Sequence, residues 1–162
     1  VNLLNTFKFS GELNIFRKNF FLKFKEYFNL KKLEGSNVIK IFVDKIEKFD
    51  DNTFIDIPNK KKFKFSFHPK KDPYWNFSSP IRYVDAIRNG EIPIIFDKFN
   101  DFFAKNLSIY INIKSLKSED ILSDKFYYKN IKIIQRGVTR YNKFIINNNN
   151  LLKAKIKNLF TK

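Results

Sequence analysis

Arg82 and Asp85 are the two side chains whose types and spacing best suit chemistry in this sequence. They lie in the run SSPIRYVDAIRNGEIPII, from Ser78 to Ile95. Ser79-Pro80 is a helix start: serine suits the N-cap, and proline suits the first helical position because its missing N–H would be unpaired there anyway. The free N–H groups and positive dipole end of such a start attract phosphate. Arg82 falls in the first turn, where its planar fork can grip phosphate oxygens in a bidentate manner. Asp85 follows at i+3, on the same face of the helix, and a carboxylate there can accept hydrogen bonds from ribose hydroxyls. Ser78, Ser79 and Tyr83 stand beside these two and complete a candidate phosphate and ribose site.

Four further positions are candidates for the same ligand. Gly11 follows a short strand pattern and opens a helix pattern, where a glycine lets backbone approach a ligand closely. Arg17 lies in the second turn of that helix. Lys98 follows an apolar strand and is available to a phosphate, with Asp97 or Asp101 as the cap of the next helix. His68, the one histidine of the chain, ends a strand and can stack on or hydrogen-bond to a base; Tyr74 and Trp75 offer a base platform nearby.

The elements that must position these residues follow from hydrophobic periodicity. Residues 6–10 and 63–67 alternate Phe with polar residues, as strands do. Residues 38–43 are rich in β-branched residues, and residues 92–96 and 107–113 are short apolar runs typical of buried parallel strands. Residues 12–33 read as a helix with an apolar stripe of Leu13, Phe16, Phe20, Phe24 and Tyr27, capped near Gly35. Residues 79–89 read as a second helix closing at Gly90, and residues 98–105 as a third. Residues 50–59 read as a polar turn, and residues 70–77 as an ordered loop. After Ser115 the chain reads as helical, interrupted by a loop at the low-complexity run Asn147 to Asn150 before a last basic helix. Alternation of this kind predicts an α/β fold: a Rossmann-like parallel sheet with helices on both faces and a helical C-terminal tail. Residues 1–115 would form this Rossmann-like domain, and residues 116–162 a helical extension of it. Ligands of such sheets bind at the carboxyl ends of the strands, which directs attention to Ser10-Gly11, to residues 68–79 and to residues 97–100.

The run from Ser78 to Ile95 resembles the donor-binding C-terminal half of GT-B glycosyltransferases, many of which carry the pattern S-P-x-R-x-x-E/D-A-x-x-x-G-x-I-P-I/V-I. The likeness is nearest to exostosin-like and related sugar transferases. Lys8 to Arg17 resembles the strand, glycine turn and helix that open the same domain, so the resemblance spans residues 5–115. It implies a nucleotide-sugar-binding domain at residues 1–115 and transfer of a sugar from a nucleotide-sugar to a glycan or lipid-linked acceptor. It places the ribose contact on Asp85 and implies no metal or other cofactor. Many retaining members carry a second carboxylate seven positions before the first; this chain has Ser78 there, a departure that leaves the anomeric outcome open. The family's base usually comes from its other domain, so no catalytic residue is assigned, and an N-terminal acceptor domain would have to come from outside this chain. A non-catalytic nucleotide- or phosphate-binding module, or a degenerate transferase fragment, is the alternative reading.

Composition bounds these readings. The 162 residues fit one domain, and 43% hydrophobic against 30% charged residues reads as globular. Absence of cysteine rules out disulfides and thiolate metal sites, and a single histidine is too few for a histidine metal cluster. The formal charge of +16 suits an anionic partner. It also fits a genome rich in A/T codons, since Lys, Asn, Ile and Phe are all abundant. The Phe residues fall at core-like spacing, so a specific nucleic-acid partner is not expected. No apolar run reaches the roughly 18 residues of a membrane span. A cytoplasmic protein is expected, with peripheral membrane contact left open by the basic amphipathic helix of residues 12–33.

Overall fold

The computed structural model describes residues 7–9, 14–30, 41–43, 55–56, 63–115 and 123–160. Six strands form one sheet: β1 (Phe7–Phe9), β2 (Ile41–Val43), β3 (Ile55–Asp56), β4 (Phe65–Phe67), β5 (Ile92–Ile95) and β6 (Ile109–Tyr110). Their order is β3-β2-β1-β4-β5-β6, and every pairing is parallel. This is the Rossmann-like α/β arrangement that the alternation of elements predicts. The chain winds outward from β1 in one direction and from β4 in the other, so the connection reverses between these two central strands.

The helices are α1 (Ile15–Leu30), α2 (Pro80–Arg88), α3 (Phe102–Leu107) and α4 (Asp124–Phe160), with a 3-10 turn at Ile113–Ser115. They cover both faces of the sheet. Side chains alternate across a strand, so Phe7, Phe9, Phe65, Phe67, Ile92 and Ile94 share one face. There they pack with Phe21 and Phe24 of α1 and with Ile134 of α4. Ile95 points the other way and packs with Tyr83 of α2 and with Ala104 and Leu107 around α3. The first cluster is largely aromatic: the Phe67 ring lies 5.2 Å from that of Phe24, 5.1 Å from Phe96 and 4.8 Å from Phe7.

Several sequence expectations need correction. Residues 50–59 are not all turn: Ile55 and Asp56 pair with Phe42 and Val43 as an edge strand, too short to show a period of two. The buried face of α1 is turned from the expected stripe. Arg17, Phe21 and Phe24 are buried while Phe16 is exposed, because two adjacent phenylalanines let the helix choose its face and the sheet chose Phe21. α3 starts at Phe102 rather than at residue 98, held by the Asp101 cap. The Asn147 to Asn150 run is no loop. It lies inside α4, a single helix of 37 residues, since asparagine costs only about 0.7 kcal/mol per residue relative to alanine and neither Gly nor Pro follows to stop the helix. No helix among the described residues is long and apolar enough to cross a membrane.

Candidate functional site

α2 forms as its sequence requires. Ser79 caps it, Pro80 stands in its first turn, Asn89 closes it, and Gly90 leaves it with φ of 78°, a left-handed turn that favours glycine. The Ser79 hydroxyl makes no capping bond, and its carbonyl accepts from the Tyr83 N–H at 3.2 Å. The neighbouring Ser78 hydroxyl donates to Asp101 Oδ1 at 2.8 Å, and the same carboxylate oxygen accepts from the Ala104 N–H at 2.9 Å. Asp101 therefore starts α3 and ties it to the entry of α2. Asp101→Ala removes both bonds and should lower stability by about 1–2 kcal/mol, read as a drop in thermal midpoint. Asp97→Ala breaks only the 3.8 Å pair with Lys70 and should cost less than about 1 kcal/mol; equal losses in the two variants would contradict the capping role.

α1 and the loop after β4 are stitched together where β1 and β4 meet. Asn14 Oδ1 accepts from the Arg17 N–H at 3.0 Å, while Asn14 Nδ2 donates to the Lys71 carbonyl at 2.6 Å. Arg17 Nε donates to the Lys70 carbonyl at 3.2 Å. The Arg17 guanidinium also sits over the Phe9 ring, 5.5 Å from its centre. These bonds close the carboxyl end of the sheet at the point where the winding reverses.

A cleft of about 220 Å³ opens there. Arg17, Lys70, Lys71 and Arg82 bring four cations to its wall, joined by His68, Ser79 and Tyr83, with Trp75, Phe77 and Phe99 as the aromatic part. Among the described residues, no acidic side chain lines it. Lys70 is shared between Asp97 and the Phe99 ring, 5.6 Å from its centre. Arg82 is exposed, and no carboxylate among the described residues pairs with it.

Two titratable groups in the wall are strongly perturbed. Burial, and then the nearby charges of Arg82, Arg17 and Lys8, push the His68 pKa down to about 3, so its imidazole is neutral at physiological pH. Both ring nitrogens are sealed from solvent and lack a hydrogen-bond partner, and the ring meets Tyr83 edge-on at 5.3 Å. Burial pushes the Tyr83 hydroxyl up to about 12.

The cleft thus gathers Arg17, His68, Ser79, Arg82 and Tyr83 from the sequence-derived candidates, with Trp75 beside them. Ser78 stands behind it as the partner of Asp101. Lys98 is exposed with its ammonium 5.4 Å from the centre of the Tyr110 ring, and does not line the cleft. Asp85 is exposed and does not line it either. Gly11 lies outside the described residues. Sequence reasoning overlooked Lys70, Lys71 and Phe77; two lysines directly after a strand end at the expected ligand edge were the available signal. Asn14, which positions that loop, has no sequence signal beyond its preference for helix caps. The chain matches no family model, no curated protein and no solved structure.

Proposed function

We propose that this cleft holds the diphosphate of a nucleotide-sugar and that the chain is the donor-binding half of a glycosyltransferase. The observation that carries the proposal is a cleft to which the described residues bring four cations and no acid, at the switch point of a parallel sheet, where ligands of such folds bind. Arg82 and the start of α2 meet the phosphates, with Arg17, Lys70 and Lys71 adding positive potential. Trp75 and Phe77 offer flat apolar surface to the base. As the bond from the sugar to the diphosphate breaks, negative charge builds on the leaving diphosphate. Cations already fixed around it lower the barrier without reorganising. No base for the acceptor's proton is assigned among the described residues of the cleft: none of them is a carboxylate, and His68 is held neutral with its nitrogens enclosed.

The lack of a carboxylate among the described lining residues favours one second reading, a phosphate-binding module without transferase activity. Calorimetric titration of the chain with UDP, GDP, their sugars and inorganic pyrophosphate separates the two. Under the donor-site reading a nucleoside diphosphate binds more tightly than pyrophosphate. Arg82→Ala then weakens it by about tenfold or more, the worth of one charge-assisted contact, while Asp85→Ala leaves it unchanged. Pyrophosphate binding as tightly as any nucleotide supports the module, and absence of binding by all of them refutes both.

A further inference from the structure

The distal half of α4 runs on past the contacts that the described residues of the body make with this helix. Its last aromatic contacts with the body are made by Phe144, whose ring lies 4.6 Å from Phe102 and 6.4 Å from Phe103. Residues 146–159 are then exposed without exception. An isolated helical stretch of this length is marginal in water, and this one carries four consecutive asparagines, which are indifferent helix formers. A surface that covers it would supply the missing stabilisation.

The stretch has two sides. Ile145, Leu152, Ile156 and Leu159 follow each other at helical steps of seven, four and three and form one apolar stripe. Leu152 is 56% exposed and Leu159 76%. Lys153 follows Leu152 and Lys155 precedes Ile156, so at 3.6 residues per turn they lie on opposite margins of the stripe. Both can lay their methylene stems along apolar surface and keep their ammonium groups in a polar layer. After Asp124 the chain has no acidic residue, while nine Lys and Arg fall between 125 and 160.

We propose that this half of α4 is a docking element for an anionic lipid surface, lying in the headgroup layer with the Ile145–Leu159 stripe facing the acyl chains and the lysines on the phosphates. Charge decides against a second copy of the chain as the occupant. Side-by-side pairing of these stretches would align two segments whose charged side chains are all lysines, with no carboxylate in either to offset them. Asn149 also falls within the stripe; a headgroup layer leaves water within its reach. The element contributes no residue to the described lining of the cleft and operates whether or not the cleft takes a nucleotide.

The test is flotation of the full chain with vesicles of pure phosphatidylcholine or of phosphatidylcholine with 30 mol% phosphatidylserine (about the anionic content that gives a strong negative surface). Partitioning should be at least tenfold stronger on the anionic vesicles. Leu152→Gln with Ile156→Gln should reduce it at least tenfold while circular dichroism and the thermal midpoint stay unchanged, because both side chains stand exposed on the helix. Equal binding to both vesicles, or no binding, overturns the proposal. So does unchanged binding of the double variant, which would mean that net charge alone attracts the protein. A lipid-free dimer in sedimentation that the same variant dissociates would assign the stripe to a second copy instead.

Discussion

Gly137→Ala should destabilise the protein by about 3 kcal/mol, at the upper end of overpacking costs, and lower its thermal midpoint by about 6–12 °C for a chain of this size. In an ordinary exposed helix the same change stabilises by up to about 1 kcal/mol, because alanine is the better helix former. The sign reverses here because α4 crosses the end of α3 at Gly137. A Cβ would fall 2.7 Å from the carbonyl carbon of Asn106 and 3.2 Å from its Cα, and closer still to its carbonyl oxygen. That obstacle is backbone and cannot swing aside. It is also pinned: Asn106 Nδ2 donates to the Phe102 carbonyl at 2.8 Å, and Asn106 Oδ1 accepts from Arg140 Nε at 2.6 Å. Calorimetric melts of Gly137→Ala and of Asn148→Ala make the comparison. The second lies on the exposed half of the same helix and should gain a few tenths of a kcal/mol. A Gly137→Ala protein as stable as the parent would show that the two helices do not approach as described.

The second large effect is acid destabilisation through His68. Its folded-state pKa of about 3 lies well below the ordinary 6.5, so between those values the unfolded chain binds a proton that the native chain refuses. Stability contributed by the neutral imidazole is complete above pH 6.5 and is lost as pH falls toward 3, by about 1.4 kcal/mol for each pH unit. Between pH 6.5 and 4.5, before most carboxylates titrate, the loss should be about 2 kcal/mol. Urea denaturation across that range measures the slope, and in His68→Gln the slope should largely vanish while stability at pH 7 changes less. Tyr83 sets the alkaline counterpart. Its hydroxyl stays protonated to about pH 12 in the fold, so stability falls as pH rises from 10 toward that value. A wild-type slope that survives the loss of the imidazole would assign the acid sensitivity to other groups.

The two effects mark what one dimension of information can and cannot carry. Local rules sufficed where a residue's own conformational preference fixes the outcome. Pro80 stands in the first turn of α2, Gly90 follows its end in a left-handed turn, and Asp101, one of the two acids expected as the cap of α3, accepts from the Ala104 N–H three residues on. The alternation of Phe in β1 and β4 and the apolar runs of β5 and β6 announced a parallel α/β sheet. The carboxyl edge was therefore marked as the ligand edge before any coordinates.

Everything requiring two distant segments to meet was decided by the tertiary structure. The sheet order, and with it the switch point between β1 and β4, depends on packing between strands that no local preference encodes. Arg17 was a candidate for the ligand from its place in the second turn of α1, but nothing local said that it would be buried. It is buried because α1 presents Phe21 to the sheet, a choice made by the Phe9 and Phe67 rings beneath it. Lys70 and Lys71 became cleft residues because Asn14 and Arg17 hold their carbonyls from more than fifty positions away. Spacing put Arg82 and Asp85 on one face of a helix. It could not say that the cleft would open toward Arg82 and leave Asp85 in solvent, since that depends on the rotation of α2 about its axis, which Tyr83 fixes by burying its ring against Ile95, Ala104 and Leu107.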